Sequence, residues 1–383
     1  MVVIAINPAE ILKRARDTKR INDLSNLHEL IQLANSEGLL NSTICNGTNI
    51  YISLPSSIDL SNINNLPSGF SWVQVSEADL RKSDSTGWIP INVSDISGFS
   101  MPTLPVDPQN TLNDNLYYTF YCNPQQEYIL TSYMESKTFG PKGNENSKTN
   151  KDGGPDPYLY EVGSNLFISP LKPVGSWSFD EGTGTIANDS SGNNNNGTLY
   201  NGPIWEDGQV NKALSFDGSN DYISVSNPSS FNFGTNNFTI EAWVKLNSMP
   251  TTDSWPGSWS KWEVIFDKGT PGGGDGYQFR IGLTILVFAI NNDAPIVSTT
   301  HNMVVGTWYH LAVVRSENTF ILYKNGISLS QGTSSSSVGT GSSVYMGTET
   351  AEGAYLNGLL DEARIYNRAL SAEEIKRHYE MSK

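Results

Sequence analysis

The sequence predicts an α+β domain, led by a long N-terminal helix and carrying a small antiparallel sheet, followed by an all-β jelly-roll sandwich. Three observations carry this. Between Ala9 and Glu37 the apolar residues Ile21, Leu24, Leu27, Ile31 and Ala34 fall three and four apart, the period of a helix. From Val174 onward the text is short alternating or wholly apolar runs cut by Asn-Gly, Asp-Gly and Gly-rich turns, the pattern of a sandwich. Charged residues are only 16% of 383, and Asn, Ser, Thr and Gly replace them, as in a turn-rich β protein.

The helix opens after Asn7-Pro8, where proline is tolerated in a first turn, and stops at Gly38. Five bases, Lys13, Arg14, Arg16, Lys19 and Arg20, crowd its first half. They read as a solvated face or as a patch that meets headgroups or acidic neighbours. From 45 to 135 the segments are short and polar. Tyr117–Tyr121 and Glu127–Met134 flank Cys122-Asn123-Pro124-Gln125 as two paired strands around a turn. Residues 140–157 have no hydrophobic period and read as a loop, and Pro170 and Pro173 mark a boundary. Beyond it, strands are expected at Phe238–Val244, Trp262–Phe266, Ile285–Ile290, Leu311–Arg315, Phe320–Tyr323 and Val344–Met346. Ser371-Ala-Glu-Glu374 is a capping box that opens a last short helix.

The net charge is −15, spread evenly: residues 1–170 hold 11 bases and 18 acids, and residues 171–383 hold 13 and 21. Such a field repels phosphate backbones and argues against nucleic acid as a partner. The two cysteines, Cys45 and Cys122, are too few for a metal cluster. They form one disulfide, which would fit an oxidising compartment, or they are unrelated thiols.

Two resemblances follow from longer stretches. Trp177-Ser-Phe-Asp180, Ala213-Leu-Ser-Phe-Asp-Gly-Ser-Asn-Asp-Tyr222, Phe238–Val244, Trp308-Tyr-His-Leu-Ala312, Leu322-Tyr-Lys-Asn-Gly326 and Leu356–Ser371 stand in the order of the laminin G-like, concanavalin A-like jelly-roll family. The resemblance covers residues 171–383 and implies a two-sheet binding module for glycans or surface proteins. Val2–Leu24, Leu104-Pro-Val-Asp-Pro108, Tyr117–Tyr121, Tyr128–Glu135 and Asp152–Val162 resemble a type IV pilin or the major pseudopilin of type II secretion. This second resemblance implies a truncated spine helix over 1–40 and a head domain over 41–170. Only Val2–Ile6 stands for the long apolar start of such proteins. The expectation is that the native protein begins upstream, with a leader and a membrane-anchoring helix.

No Gly-x-Ser-x-Gly, His-Glu-x-x-His or phosphate-loop motif is present, and His28, His301, His310 and His378 are scattered. The fold also hosts glucanases, but a retaining glycosidase needs two carboxyls about 5–5.5 Å apart. Asp361 and Glu362 are adjacent and would point to opposite faces of a strand. The chain is therefore read as no enzyme. For calcium, which takes six to eight oxygens, Asp217, Asn220 and Asp221 share one turn, and the jelly-roll resemblance brings Asp361 near them. The turn equally builds itself around Gly218. Asp152 and Asp156 are a second candidate, because related pseudopilins hold calcium in that loop. For a ligand, Trp255 and Trp259 lie in a Pro/Gly/Ser-rich insertion, where exposed rings stack on sugars. Trp177, Trp243, Trp262 and Trp308 are assigned to packing.

The expected protein is an extracellular, cell-surface pilin-like subunit. It assembles with other such subunits, holds the membrane through the missing helix, and displays a carbohydrate- or protein-binding jelly roll for adhesion. The alternatives are a pseudopilin contacting cargo and a surface glycoside hydrolase.

Overall fold

The computed structural model describes residues 7–63, 66–142, 146–226, 229–251, 262–269, 276–290, 295–338, 343–349 and 353–383. The chain divides into two compact units, which meet in sequence at Lys172 and Pro173.

The first unit begins with α1, Pro8–Ser36. The Asn7 side chain accepts from the Ala9 and Glu10 amides, and Gly38, at φ 73°, takes the left-handed position that ends the helix. Its strands are β1 (Asn49–Ile52), β2 (Ser71–Val73), β3 (Tyr118–Cys122), β4 (Tyr128–Tyr133) and β5 (Leu159–Gly163). They form a sheet in the order β2-β1-β3-β4-β5, antiparallel except for the parallel β1–β2 pair. Leu24, Leu27, Leu30, Ile31 and Ala34 of the helix are buried against Tyr118, Phe120, Tyr128 and Leu130 of the sheet. Cys45 and Cys122 are bonded, tying the segment before β1 to the end of β3. Among the described residues no helix is long and apolar enough to cross a membrane.

The basic stretch of α1 is not an open face. Arg20 is fully buried, with two hydrogen bonds to Asp107 at 2.6 and 2.9 Å, one to Asp17 at 2.8 Å and one to Glu135 at 2.6 Å. Arg16 forks onto Glu135 with two bonds of 2.7 Å, and Lys19 pairs with Asp23. Burial opposes the Glu135 charge, yet the two guanidiniums hold its carboxyl below the ordinary range. Two of the five bases, Arg16 and Arg20, thus anchor the helix to the loop bearing Asp107 and to the end of β4.

The second unit is a two-sheet sandwich. Its strands in chain order are β6 (Gly175–Trp177), β7 (Ile186–Ala187), β8 (Gly197–Tyr200), β9 (Ile204–Asp207), β10 (Lys212–Asp217), β11 (Tyr222–Val225), β12 (Phe238–Leu246), β13 (Glu263–Gly269), β14 (Gly276–Ile281), β15 (Ile285–Ile290), β16 (Val297–Thr300), β17 (Trp308–Ser316), β18 (Thr319–Lys324), β19 (Ile327–Thr333), β20 (Val344–Met346), β21 (Thr348–Glu349), β22 (Ala354–Tyr355) and β23 (Asn357–Tyr366). One sheet runs β19-β18-β17-β12-β23-β10-β9, with β6 on β23; the other runs β16-β15-β14-β13-β20-β11-β8-β7. Between them lies a core that includes Phe216, Phe238, Phe279, Phe288 and Phe320. Trp177 and Trp243 are buried as expected of packing residues, but Trp308 is only half-buried, beneath the Lys245 ammonium at 5.0 Å.

A last helix, α2 (Ala372–Ser382), closes the chain, and both halves of the Ser371–Glu374 capping box form. Its Ile375 packs on Ala312, Val314, Tyr323 and Tyr366, on the outer face of the first sheet. Beneath it the fully buried Glu241 accepts from His378 Nδ1 at 2.8 Å and lies 3.5 Å from His310 Nε2. Arg364, the register partner of Glu241, reaches back to Glu362, where a left-handed backbone of φ 52° accompanies a bulge in the pairing.

Candidate functional site

The outer face of the other sheet carries a row of polar side chains. Alternation along each strand sends Leu199, Ile223, Val225, Val344, Met346, Phe266, Tyr277, Phe279 and Phe288 into the core. Their neighbours point the opposite way. Register then aligns Thr198 with Ser224, Ser224 with Tyr345, Tyr345 with Asp267, Asp267 with Gln278, and Gln278 with Ala289. At about 4.8 Å per strand this transverse row spans about 24 Å.

One end of the row is aromatic and reaches solvent. Tyr200 and Tyr222 are register partners on β8 and β11; their rings stack at 4.9 Å and 10°, and Tyr345 meets Tyr222 edge-on at 6.1 Å. Tyr200 is 43% exposed, and Tyr222 and Tyr345 are half-buried. Burial first, then the neighbouring phenols of Tyr200, Tyr345 and Tyr355, push the Tyr222 hydroxyl up. The other end is polar and enclosed. Burial, with Glu349 adding to it, pushes the Asp267 carboxyl up to about 7, against a hydrogen bond from Gln278 and the charge of Arg280. On the opposite, core-facing side of β13, where Glu263 aligns with Ile281 and Lys268 with Tyr277, burial lifts Glu263 to about 7 against a hydrogen bond from the Asn357 amide and lowers Lys268 to about 8. The arrangement offers ring faces for the C–H faces of a ligand and, beside them, the half-buried hydroxyls of Thr198 and Ser224, which exchange hydrogen bonds with sugar hydroxyls.

Trp255 and Trp259 lie outside the described residues. Asp217, Asn220 and Asp221 do share a turn, but its carboxylates are turned onto the backbone. Asp217 Oδ1 accepts from the amides of Ser219 and Asn220, and Asp221 Oδ2 accepts from the Asp217 amide. Asp361 does not join them. Asp217 pairs with Asn357, so Asp361 stands four residues further along β23, about 13 Å away. It is buried, accepts from the Val210 amide at 2.8 Å, and is raised well above the carboxylate range by burial and by Asp180.

In the first unit, Asp152 accepts from the amides of Gly154 and Glu161, and Asp156 accepts from Tyr158 and donates its own amide to Glu161 Oε2. Burial pushes Asp152 up to about 7 and raises Glu161 well above its ordinary value, with Asp156 and Asp152 adding repulsion. The loop is thus locked by its own carboxylates. Among the described residues no group of three or more His, Cys, Asp or Glu side chains is set to hold a metal ion.

The tyrosine platform was missed in the sequence because Tyr200, Tyr222 and Tyr345 come from three strands, and only register joins them. The one local signal was the period-two placement of Tyr222 and Tyr345 against apolar neighbours.

Residues 217–376 match the family model described as the concanavalin A-like lectin/glucanases superfamily. They form a laminin G-like, concanavalin A-like jelly-roll domain. No curated protein matches the chain. Among solved structures, domain 4 of AbnA, an extracellular arabinanase from Geobacillus stearothermophilus in complex with arabinotriose, is 23% identical; the match covers 56% of this chain and 99% of that one, with a TM-score of 0.44. The binding domain of Paraclostridial Mosquitocidal Protein 1 is 19% identical over 54% of this chain and 51% of that one, with a TM-score of 0.44. Trypanosoma rangeli sialidase is 14% identical over 54% and 32%, with a TM-score of 0.41. The chain thus spans about half of the second and a third of the third.

Proposed function

We propose that the jelly roll is a non-catalytic glycan-binding module, displayed outside the cell by a pilin-like first unit. The observation that carries the binding reading is the Tyr200–Tyr222 stack, with Tyr345 against it, on an outward sheet face. An exposed aromatic platform flanked by the half-buried hydroxyls of Thr198 and Ser224 suits a sugar lying on this edge of the face. The nearest turn supplies Asp217 and Asp221 and no base, so the ligand is a neutral glycan. The Cys45–Cys122 bond suits an extracellular setting. The pilin-like reading draws on the long helix packed on a small sheet and on Ile11 and Leu12, which stay more than half exposed near its start.

The test is binding of neutral oligosaccharides by calorimetry, with Tyr200→Ala and Tyr222→Ala as variants. The proposal expects saturable binding that both variants weaken, with no release of reducing ends. Turnover that disappears in Asp267→Asn would favour the glycoside hydrolase reading, which draws on that carboxyl being raised to about 7.

A further inference from the structure

One end of the second unit carries exposed aliphatic side chains on tight turns. Val304 is 63% exposed, Ile327 67%, Val305 42% and Leu283 41%. Hydrogen bonds hold the turns together. The His301 amide donates to Thr284 O at 2.9 Å, and His301 Nε2 lies 3.0 Å from Gly282 O, which sets the Leu283 turn beside the Val304 loop. The Val304 amide donates to the Tyr309 hydroxyl at 3.1 Å, and Gly306 N donates to Leu246 O at 2.8 Å. The Asn325 amide donates to His310 O at 2.8 Å, which brings the Gly326–Ile327 turn to the same end.

Lysines and half-buried aromatic rings surround these tips. Lys245 Nζ sits 5.0 Å over Trp308, and Lys324 Nζ sits 5.3 Å over Tyr309 and donates to His301 O. Lys376 of α2 lies against Gly326, where an added Cβ would meet its Cα at 2.9 Å. Segments 245–250, 282–285, 301–309 and 324–327 contain no Asp or Glu, in a chain with 39 of them; the acids at this end stand beside them, Glu373 and Glu380 on α2 and Asp217 and Asp221 in their turn.

We propose that this end is a docking surface for an anionic lipid bilayer. Branched aliphatics at the tips enter the headgroup region, Trp308 and Tyr309 lie at the level where amphipathic rings partition, and the lysines meet lipid phosphates. Charge complementarity selects this occupant. A second copy docking by the same patch about a two-fold axis would set lysine against lysine. A sugar gains little from branched aliphatics without free ring faces, and here the lysines cover the rings. The surface also closes the same end of the sandwich as the Asp217–Asp221 turn, because Gly358 pairs with both Leu246 and Phe216. A docked module would therefore bring the tyrosine platform close to the membrane plane.

The test is co-sedimentation of the full chain with phosphatidylcholine vesicles, alone or with about one lipid in three replaced by phosphatidylglycerol. The expected result is binding to the mixed vesicles that falls with salt, and little binding to phosphatidylcholine alone. The double variant Val304→Asp/Val305→Asp should bind at least about tenfold more weakly, since both side chains are exposed and replaceable. Lys245→Gln with Lys376→Gln should weaken binding to the mixed vesicles alone. Unchanged melting and unchanged oligosaccharide binding would show that each variant is folded. Folded wild-type protein that ignores both vesicles overturns the proposal, as does unchanged binding by the double aspartate variant. So does a concentration-dependent dimer that this variant abolishes.

Discussion

The sandwich has two outer faces built by the same alternation of side chains, and they have opposite fates. One is roofed by α2, and under that roof Glu241, His310, Arg364 and Tyr366 are buried in a closed network. The other leaves Tyr200 open to solvent, with Tyr222 and Tyr345 half-open behind it. A polar or aromatic residue on an outward strand position is therefore not a functional signal by itself. What covers it decides. The roofed face spends its charged groups on fixing a helix, and the open face keeps its rings for a ligand.

The largest expected effect breaks the roofed face. Glu241→Ala takes the buried carboxylate away from His378 and His310 and should cost about 3–5 kcal/mol in denaturant unfolding. Tyr222→Ala, on the open face, should cost about 1 kcal/mol or less by the same measurement. Comparable losses for the two would erase the distinction. The helix cap comes next: Ser371→Ala removes the acceptor of the Glu374 amide and should cost about 1 kcal/mol.

Two pH tests sharpen the contrast between buried groups. His310 is pushed below its ordinary pKa by burial, so the unfolded chain binds the proton more readily. Its contribution is present above about pH 6.5 and is lost as the pH falls below it. Relative to wild type, His310→Gln should lose the least at pH 5 and the most at pH 8 in thermal melts. Glu161 of the first unit runs the other way. Its raised pKa means that the folded form holds the proton more tightly, so stability is lost as pH rises above about 4.3. Glu161→Gln should be near neutral at low pH and stabilising, by about 1 kcal/mol, at pH 8. A melt in which the variant gains nothing at pH 8 would place a compensating charge on Glu161.

The sequence made some of this legible for simple reasons. A helix stripe and a strand alternation are local, so α1, the β3–β4 hairpin and the strands around Phe238, Ile285 and Phe320 could be read directly. The fate of Arg20 could not, because its partners Asp107 and Glu135 lie 87 and 115 residues away. A basic run in a helix looks the same whether it is solvated or anchored. The expected closeness of Asp361 to the Asp217 turn was undone by register: the strand that carries it pairs with Asp217 at Asn357, four residues too early. The tyrosine platform was hidden for the same reason, since Tyr200, Tyr222 and Tyr345 become neighbours only when β8, β11 and β20 align.

The most direct measurement is oligosaccharide binding by the pair Tyr200→Ala and Tyr222→Ala, with each variant's melting recorded alongside. Both variants should lose about tenfold or more in affinity and melt within a few degrees of wild type. Full-strength glycan binding by both folded variants would contradict this expectation and move the ligand site off this face.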